Sequence, residues 1–300
     1  MTTAATTIVR SQNAQLGVAL MCCGLAMFAC GETMVKLLAR DHSVAQIVWA
    51  RYTFHALVFL AVFSRIGIVR QVRTTRPGLQ LARSVLLLAA TAFFFTALRY
   101  IPMADAVAIN FVSPLLVTAF SIPILGEHVG PRRWAAIVVG FAGAMVIIRP
   151  GMGEVHWAVF MPLGTALCYA LHQILTRIAS RTDDSRTSLF WTSAVGVLGT
   201  SALVPFFWTQ PDATGWLLMV ATGTAFGFGH YLLIRGLEVA PASLLSPFIY
   251  TQIVWTALLG YLVFDQFPDR WTVTGVGIVI ASGLYVWRRE TAGTRRISAA

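Results

Sequence analysis

The sequence predicts an all-α polytopic membrane protein in which ten transmembrane helices form two inverted five-helix repeats. Of its 300 residues, 57% are hydrophobic and only 11% are charged, whereas a soluble domain carries roughly 25% charged residues. The apolar residues fall into ten segments of about the 20 residues that a bilayer core requires, and the two halves of the chain share a sequence pattern. So little charge excludes a disordered chain or a coiled coil, and four cysteines are too few for a secreted disulfide scaffold.

The apolar segments are joined by connections too short to hold a soluble domain. The first segment follows a short basic tail, as in a signal peptide. It is longer than the apolar region of a signal peptide and contains Glu32 and Lys36, so it is predicted to be a retained helix. The segments run from Leu16 to Leu38, Val44 to Phe63, Leu79 to Leu98, Ala104 to Ile124, Pro131 to Ile148, Val155 to Ile178, Thr187 to Phe207, Trp216 to Leu237, Ala242 to Phe264 and Trp271 to Trp287.

The basic residues, which give a formal net charge of +10, lie mostly between the apolar segments. This distribution is typical of cytoplasmic loops that face anionic lipid, and it argues against nucleic acid as a partner. With the N-terminus inside, fifteen arginines fall on the cytoplasmic side, whereas Arg40, Arg99, Arg149 and Arg270 fall on the other side. Both termini are therefore predicted to be cytoplasmic, in a bacterial-type inner membrane. The fifteen arginines are Arg10, Arg65, Arg70, Arg73, Arg76, Arg132, Arg133, Arg177, Arg181, Arg186, Arg235, Arg288, Arg289, Arg295 and Arg296.

The two halves are related by an internal repeat. Pro131-Arg-Arg-Trp134 opens the fifth segment and matches Pro268-Asp-Arg-Trp271, which opens the tenth; six of the fourteen positions from Pro131 to Ala144 are identical at an offset of 137. Gly126-Glu127 and Phe264-Asp265 end the preceding segments with one residue of slippage. Because each repeat has five helices, an odd number, the second copy must enter from the opposite face of the membrane, as in many secondary transporters. The predicted boundaries are 1–13 for the N-terminal tail, 14–149 and 150–288 for the two repeats, and 289–300 for the C-terminal tail.

The region around the fourth and ninth segments carries a family resemblance. Tyr100-Ile-Pro-Met-Ala-Asp-Ala-Val-Ala-Ile-Asn-Phe-Val-Ser-Pro114 is followed by Leu125-Gly-Glu127 and Arg133-Trp134; its counterpart is Ala240-Pro-Ala-Ser-Leu-Leu-Ser-Pro247, then Tyr250-Thr-Gln252 and Phe264-Asp265. This pattern resembles the EamA-type branch of the drug/metabolite transporter superfamily, and the resemblance covers nearly the whole chain. It implies a ten-helix carrier of small organic substrates, usually exported and sometimes imported. One departure is Asp265-Gln266, where the second repeat of the family commonly has Gly-Glu or a similar acidic pair.

Two helices pair an ionisable residue with another one turn later. Glu32 and Lys36 are spaced i to i+4 and so share one face of the first helix. Either they form an internal ion pair, or Glu32 lies in a water-filled cavity as a substrate or proton ligand, with Lys36 nearer the outer mouth. Arg51 and His55 repeat the spacing in the second helix: Arg51 would clamp an acidic substrate group or neutralise Glu32, and His55 would couple proton movement or simply pack.

Helix-breaking prolines indicate where a binding cavity forms, because a broken helix frees backbone groups. Asn110 lies just before Pro114, and the ninth segment has Pro247 at the matching place. Aromatic residues there offer flat faces to a ring or a cation, or only fill the bundle, and the histidines of the sixth and eighth segments are ligands or packed helix–helix hydrogen bonds. The predicted substrate-binding residues are Glu32, Arg51, His55, Asn110, His172, Tyr250, Gln252 and Trp255, with Glu32 and His55 as candidates for proton coupling.

These features favour a secondary carrier over the other classes of membrane protein. The sequence has no metalloprotease, nucleophile-elbow or Walker A motif, so an enzyme or a nucleotide-driven pump is not expected, nor is a cofactor or a metal site. A channel would need a ring of like groups. The mixture of acid, base and aromatic residues favours a zwitterionic or ring-bearing substrate, such as an amino-acid derivative or an opine-like metallophore, moved outward. The alternative is uptake of a vitamin or nucleoside-type metabolite, riboflavin-like or S-adenosylmethionine-like.

Small residues one turn apart recur at matching places in the fifth and tenth segments. Gly140 with Ala144 and Gly277 with Ala281 are pairs of the kind that lets helices approach closely. They predict packing within the chain or the seam of a homodimer, and no contact with substrate.

Overall fold

The computed structural model describes residues 2–63, 73–126, 130–149 and 156–297. In those ranges every regular element is helical, and ten helices form where they are predicted. α1 begins earlier and α10 ends later than predicted, because both helices continue into the polar tails. The helices are α1 (Thr2–Leu38), α2 (Val44–Phe63), α3 (Pro77–Tyr100), α4 (Met103–Asn110 and Ser113–Leu125), α5 (Pro131–Ile148), α6 (a 3-10 turn Trp157–Phe160, then Met161–Ala179), α7 (Ser185–Leu203, then a 3-10 turn Val204–Phe207), α8 (Ala213–Val239), α9 (Ala242–Leu245, a 3-10 turn Ser246–Tyr250, then Thr251–Phe264) and α10 (Arg270–Ile297).

Some predicted features lie outside the described residues. They are Arg65, Arg70, Glu127 and Val155, together with the side chains of Arg186 and of the two tails, 1–13 and 289–300.

The bundle has the dimensions and surface of a membrane-spanning protein. Within the described residues, eight helices are long and apolar enough to cross a bilayer, and α2 and α10 are the two other predicted spans. Large apolar side chains such as Val138, Leu198, Leu217 and Leu262 are exposed. An exposed apolar surface of this extent requires a hydrocarbon environment, so the chain is a multi-pass membrane protein.

Helix packing follows the internal repeat. The repeat relates α1 to α6, α2 to α7, α3 to α8, α4 to α9 and α5 to α10. The pair α1–α8 therefore corresponds to the pair α6–α3, and both pairs pack over much of their length. The pairs α2–α8 and α7–α3 are likewise both present, and α5–α10, which maps onto itself, is another extensive interface. Matched interfaces of this kind are the consequence of a two-fold relation between inverted repeats. Each repeat therefore packs its helices between those of the other.

Close helix approach depends on glycine at two interfaces. Between α1 and α8, a Cβ atom on Gly24 would lie 3.0 Å from the carbonyl oxygen of Gly229. Between α5 and α10, a Cβ atom on Gly143 would lie 3.0 Å from the Cβ of Ile278. In a bilayer, helices associate through van der Waals packing, and small residues let the two backbones come close enough to form these contacts.

The two predicted small-residue pairs have different environments. Gly140 and Ala144 are buried, and a Cβ on Gly140 would lie 3.3 Å from the Cβ of Ser282 in α10. Gly277 and Ala281 are exposed, and a Cβ on Gly277 would meet no atom within 4 Å. The first pair thus packs within the chain, and the second remains a candidate for the homodimer seam.

The ends of α4 and α9 refine the alignment of the repeats. Both helices stop at a residue in the left-handed conformation, Gly126 with φ 72° and Asp265 with φ 55°. A left-handed residue ends a helix by turning the chain out of its axis. The structure therefore matches Gly126 with Asp265, whereas the sequence comparison had set Glu127 opposite Asp265.

Candidate functional site

A cavity of about 670 Å³ lies between the two repeats, where the breaks of α4 and α9 meet. Pro114 and Pro247 both line it, as predicted from their matching positions. The cavity reaches the end of the bundle where α5 begins and α6 finishes, which we call the Arg133 end; the opposite end, where α1 and α3 finish, is called the Lys36 end. The cavity is lined by Met21, Pro114, Leu115, Val117, Thr118, Ser121, Arg133, Gln173, Arg177, Leu237, Leu245, Ser246, Pro247, Ile249, Tyr250, Gly283, Leu284, Val286 and Trp287.

The cavity wall combines positive charge with hydroxyl and aromatic groups. Arg133 and Arg177 bring guanidinium groups from α5 and α6, and Tyr250 brings a phenol from α9. The Oγ atom of Ser246 is buried and has no hydrogen-bond partner among the described residues. A buried polar group without a partner costs about 1–3 kcal/mol, so a ligand that reaches this hydroxyl gains a hydrogen bond. Because no carboxylate is among the described lining residues, the wall suits a planar ligand with acceptor or negative groups.

Tyr250 occupies the junction of three helices. It closes the 3-10 turn of α9, and its ring meets that of Phe111, in the break of α4, edge-on at 5.1 Å between centroids. Its hydroxyl lies directly against Gly283 of α10. Among the predicted binding residues, Tyr250 is the one that lines this cavity.

Glu32 links the two repeats. Its carboxylate, in α1, accepts a hydrogen bond from Gln252 Nε2 at 2.7 Å and from Thr256 Oγ1 at 3.3 Å, both in α9. Glu32 is only 3% exposed, so these bonds are formed in a dry environment where they are strong. Two of the predicted residues, Glu32 and Gln252, are thus in direct contact.

Lys36 does not form the ion pair with Glu32 that was one of the two alternatives. Its Nζ atom donates to the carbonyl oxygens of Leu98 at 2.9 Å and Ile101 at 2.6 Å. These carbonyls lie at the C-terminal end of α3, where they lack intrahelical donors and carry partial negative charge, which attracts a cation. Of the two alternatives, the ion pair is therefore not formed, because the end of α3 offers Lys36 other partners; Glu32 does not line the cavity described above either.

Arg51 is surrounded by aromatic rings. Its guanidinium lies 4.6, 5.1 and 5.6 Å from the ring centroids of Phe226, Tyr52 and Phe95, within the range of cation–π attraction. It donates through Nη1 to Thr91 Oγ1, and its Nε has no partner among the described residues. No carboxylate lies within ion-pair distance in the part of the chain that the structure describes, so the predicted neutralisation of Glu32 is not a direct contact.

His55 packs against a second histidine. The ring centroids of His55 and His230 are 5.1 Å apart with the rings tilted, and that of His230 is 4.8 Å from the centroid of Phe28. The Nδ1 atom of His230 is 2.9 Å from the carbonyl oxygen of Phe226, the residue whose ring lies against Arg51. The two histidines thus meet between α2 and α8, one helical turn from the contact of Arg51 with Phe226.

His172 belongs to a separate polar cluster that ties α3 to α6 and α7. Its Nδ1 is 2.7 Å from the carbonyl oxygen of Arg83. The Arg83 guanidinium donates to Gln80 Oε1 at 2.9 Å, to the carbonyl of Ser188 at 2.8 Å and to Thr176 Oγ1 at 3.0 Å. These hydrogen bonds join three helices to one another, and His172 does not line the cavity. The geometry matches the alternative of a packed helix–helix hydrogen bond.

The remaining predicted residues lie apart from the cavity wall. Asn110 ends the first part of α4, and its Oδ1 is buried without a partner among the described residues. Trp255 is 36% exposed on α9.

Sequence reasoning missed Arg133, Gln173, Arg177 and Ser246 as lining residues. The sequence placed the two arginines on the cytoplasmic side without a role in binding, because only three-dimensional packing brings these helix ends to the cavity. Ser246 could have been found, since a Ser-Pro pair occurs at both helix breaks, Ser113-Pro114 and Ser246-Pro247.

At the Lys36 end, two further contacts join the repeats. Arg149, which ends α5, forms an ion pair of 2.5 Å with Asp269, just before α10. Thr272 of α10 donates to Asp105 of α4 at 2.7 Å. Partial burial of Asp269 acts to raise its pKa, but the hydrogen bond from the Thr272 backbone and the charge of Arg149 outweigh it and lower the pKa below its ordinary value.

A bundle of apolar helices with interlocked inverted repeats and a cavity at their junction defines a membrane transporter for small molecules. A family model described as the EamA-like transporter family matches residues 15–149 and again 156–288. The chain belongs to this family, as the sequence resemblance implied. The two matched ranges lie one in each half of the chain.

Named relatives are transporters of small metabolites. The chain is 28% identical over 252 residues to a riboflavin transporter of Vibrio cholerae, covering 83% of this chain and 85% of the relative. It is 24% identical over 255 residues to an S-adenosylmethionine uptake transporter of Rickettsia prowazekii, covering 85% and 86%. It is 24% identical over 271 residues to the pseudopaline exporter CntI of Pseudomonas aeruginosa, covering 88% and 93%. A solved crystal structure at 17% identity superposes with a TM-score of 0.64 over 91% of this chain and 98% of its own, which shows the shared fold.

Proposed function

We propose that this protein is a secondary carrier that moves a ring-bearing metabolite with a negative or zwitterionic group by alternating access. The observation that supports this most is the cavity at the junction of the repeats, because both helix breaks line it. Its volume, about 670 Å³, is within the range of pockets that hold metabolite-sized ligands. In this proposal Tyr250 stacks on the ring, the guanidinium groups of Arg133 and Arg177 bind the negative group, and Ser246 donates to an acceptor.

The two ends of the bundle support alternating access. The cavity reaches the Arg133 end, whereas Glu32–Gln252, Asp105–Thr272 and Arg149–Asp269 contacts join the repeats towards the Lys36 end. A carrier needs one closed gate at a time, and contacts between repeats are the means of closing one. In the proposed cycle these contacts break when the cavity opens to the Lys36 end.

The direction of transport has two candidates, each with its own support. Uptake is favoured by the relatives named as S-adenosylmethionine uptake transporters. Export, which the sequence favoured, is supported by the pseudopaline exporter, of which the match covers 93%. By the arginine distribution, both termini and the Arg133 end are proposed to face the cytoplasm.

The proposal has two further parts. Transport is coupled to protons through Glu32 and His55, and the protein forms a homodimer.

Transport in proteoliposomes tests the proposal. Purified protein is reconstituted in both orientations and incubated with a mixture of flavins, S-adenosyl compounds, nucleosides and opine-like amino acids, and the accumulated compounds are identified by mass spectrometry. We expect saturable accumulation of one class, reduced at least tenfold by Ser246→Ala combined with Tyr250→Ala. The control Gly78→Ala, at an exposed position of α3, should leave it unaffected. Single-channel currents without saturable flux would refute the carrier, and selection of a compound without a ring would refute the proposed substrate class.

Orientation and direction need two separate measurements. An alkaline phosphatase fused after Ala300 should be inactive in cells, because the enzyme matures only outside the cytoplasm. Accumulation by intact cells of the substrate found in vitro would establish uptake, and a lower intracellular level on expression would establish export.

A further inference from the structure

A second depression, of about 390 Å³, opens at the Lys36 end, away from the cavity between the helix breaks. It is formed where α1, α3 and α9 finish. Along α1, Lys36 lies fifteen residues from Met21 of the cavity wall, which is about 22 Å at 1.5 Å per residue. The two sites are therefore at opposite ends of the bundle. The depression is lined by Lys36, Ala39, Arg40, Arg99, Tyr100, Phe264 and Gln266.

Three cations meet in this depression. Lys36 Nζ and the Arg40 guanidinium are each 5.6 Å from the centroid of the same Phe264 ring, and the Arg99 guanidinium is 5.8 Å from that of Tyr100. Neither Arg40 nor Arg99 has a carboxylate within ion-pair distance among the described residues. Lys36 uses two of its three N–H groups on carbonyls. Mutual repulsion makes such a group costly unless a negative ligand joins it.

These cations lie at the end of the bundle that has few arginines, so their convergence there calls for an explanation. By the positive-inside rule arginine is disfavoured at this end, and the sequence places only four there. Arg149 is paired with Asp269, and Arg270 lies over the ring of Trp271 at 5.4 Å. The remaining two converge on one depression, together with the only lysine of the chain.

One neutral group in the same wall also lacks a partner. The side-chain oxygen of Gln266 is buried and accepts no hydrogen bond among the described residues. A hydroxyl group next to the negative group of a ligand would satisfy it. The wall therefore offers charge for an anion, an amide for a neighbouring hydroxyl, and two aromatic rings.

We infer that this depression is an anion-binding site, which takes the phosphate or carboxylate of a small hydroxylated molecule or of a lipid headgroup between Arg40 and Arg99. Guanidinium groups suit both anions, because their N–H groups match the two oxygens of a carboxylate or phosphate. The site is separate from the proposed transport cavity, and its occupancy is measured at equilibrium without transport. A failure here leaves the proposed function unaffected.

The test compares Arg40→Gln combined with Arg99→Gln against Arg270→Gln, a matched arginine at the same end that does not line the depression. Binding of inorganic phosphate and of glycerol 3-phosphate is measured by calorimetry in a neutral detergent. Binding of phosphatidylglycerol is measured by native mass spectrometry after transfer to phosphatidylcholine nanodiscs. Size-exclusion profiles check folding, and Arg40→Lys with Arg99→Lys tests whether charge restores binding.

We expect the double Gln variant to lose at least tenfold in affinity for one of the phosphate ligands, with Arg270→Gln unchanged and the Lys variant partly restored. Loss for glycerol 3-phosphate identifies a soluble ligand, and loss for phosphatidylglycerol alone identifies a lipid. Equal affinities in the wild type and the double variant for all three ligands would overturn the inference. So would an equal loss in Arg270→Gln, because the effect would then be one of general surface charge.

Discussion

Adding a single methyl group at Gly283 tests whether Tyr250 forms part of the binding site. Gly283 lies in α10 on the cavity wall, opposite the phenol of Tyr250. In Gly283→Ala the new Cβ would coincide with the Tyr250 hydroxyl and would lie 3.0 Å from its Cζ. The ring cannot move back, because Phe111 packs against it edge-on. We therefore expect the ring to swing into the space that the substrate occupies.

The size of the effect follows from the cost of overpacking. Inserting a methylene into a packed region costs about 1–3 kcal/mol. If substrate binding has to reverse the displacement of the ring, this cost appears in the apparent affinity as a loss of roughly 5- to 150-fold, since 1.4 kcal/mol corresponds to tenfold. Removing the hydroxyl in Tyr250→Phe removes the closest overlap. The double variant should therefore bind better than Gly283→Ala alone, a coupling that independent sites would not show.

The assay is concentration-dependent uptake of the substrate into proteoliposomes, with thermal unfolding as a second measurement. Gly78→Ala is the matched control, because Gly78 is an exposed helical residue, in α3, whose Cβ would meet no atom within 4 Å. We expect the control to transport like the wild type and to unfold at an equal or slightly higher temperature. Wild-type KM in Gly283→Ala, or equal impairment of both alanine variants, would refute the role given to Tyr250.

Three further predictions follow from the contacts between helices. In Glu32→Gln the shape is kept and the charge is removed, so proton-coupled accumulation should disappear while substrate exchange continues; if both activities fall together, or neither changes, Glu32 is not a coupling residue. In Asp269→Asn the exposed pair with Arg149 is lost, at a cost of about 0–1 kcal/mol. The pKa of Asp269 in the folded protein is lowered, so the ion pair stabilises the fold above the ordinary value of 3.8, and this stabilisation is lost as the pH falls through the folded pKa. The difference in unfolding temperature between wild type and variant should therefore persist from pH 8 to pH 5 and vanish in stronger acid. A difference that disappears between pH 5 and pH 8 would contradict this reasoning. In His172→Phe the bond to the Arg83 carbonyl is lost, so stability should fall by about 1–3 kcal/mol with no change in KM; an increase in KM at unchanged stability would return His172 to the binding site.

The helices could be predicted closely because bilayer thickness fixes the length of an apolar segment. Prolines mark several boundaries: Pro77 and Pro131 stand in the first turns of α3 and α5, where the missing N–H costs nothing. The tails could not be predicted in this way, since helix there continues without apolar content. The correspondence between helix pairs in the two halves is a consequence of the repeat. The residues that meet where two helices cross are not fixed by it.

Contacts between polar groups were harder to predict than their positions along the helices. Glu32 and Lys36 share a helix face as their spacing requires, yet each has its partners on another helix, Gln252 for one and the end of α3 for the other. An i to i+4 spacing gives the direction of a side chain and says nothing of the helix that faces it. Arg133 and Arg177 show the same limit, because their place on the cavity wall depends on how three helix ends converge.

The breaks in α4 and α9 occupy equivalent places in the repeats but have different conformations. α4 resumes as an α-helix after a two-residue turn at 111–112, whereas α9 passes through the 3-10 turn Ser246–Tyr250. A 3-10 helix rises about 2.0 Å per residue and an α-helix about 1.5 Å, so five residues differ by about 2.5 Å in length. If the repeats exchange conformations during the proposed cycle, Tyr250 moves along the helix axis by a distance of this order.

Such an exchange has to break the contacts that join the repeats at the Lys36 end. The hydrogen bond from Gln252 to the charged Glu32 contributes about 1.5–3 kcal/mol, and the exposed Arg149–Asp269 pair adds about 0–1 kcal/mol. These two contacts alone are worth roughly 2–4 kcal/mol, and the bonds of Thr256 to Glu32 and of Thr272 to Asp105 add to them. A substrate therefore has to bind the second state more tightly by at least about 30-fold to shift the populations. In the proposed cycle, neutralising Glu32 weakens its bonds to Gln252 and Thr256 and so reduces this free-energy difference, which is how proton binding at Glu32 would act on the gate.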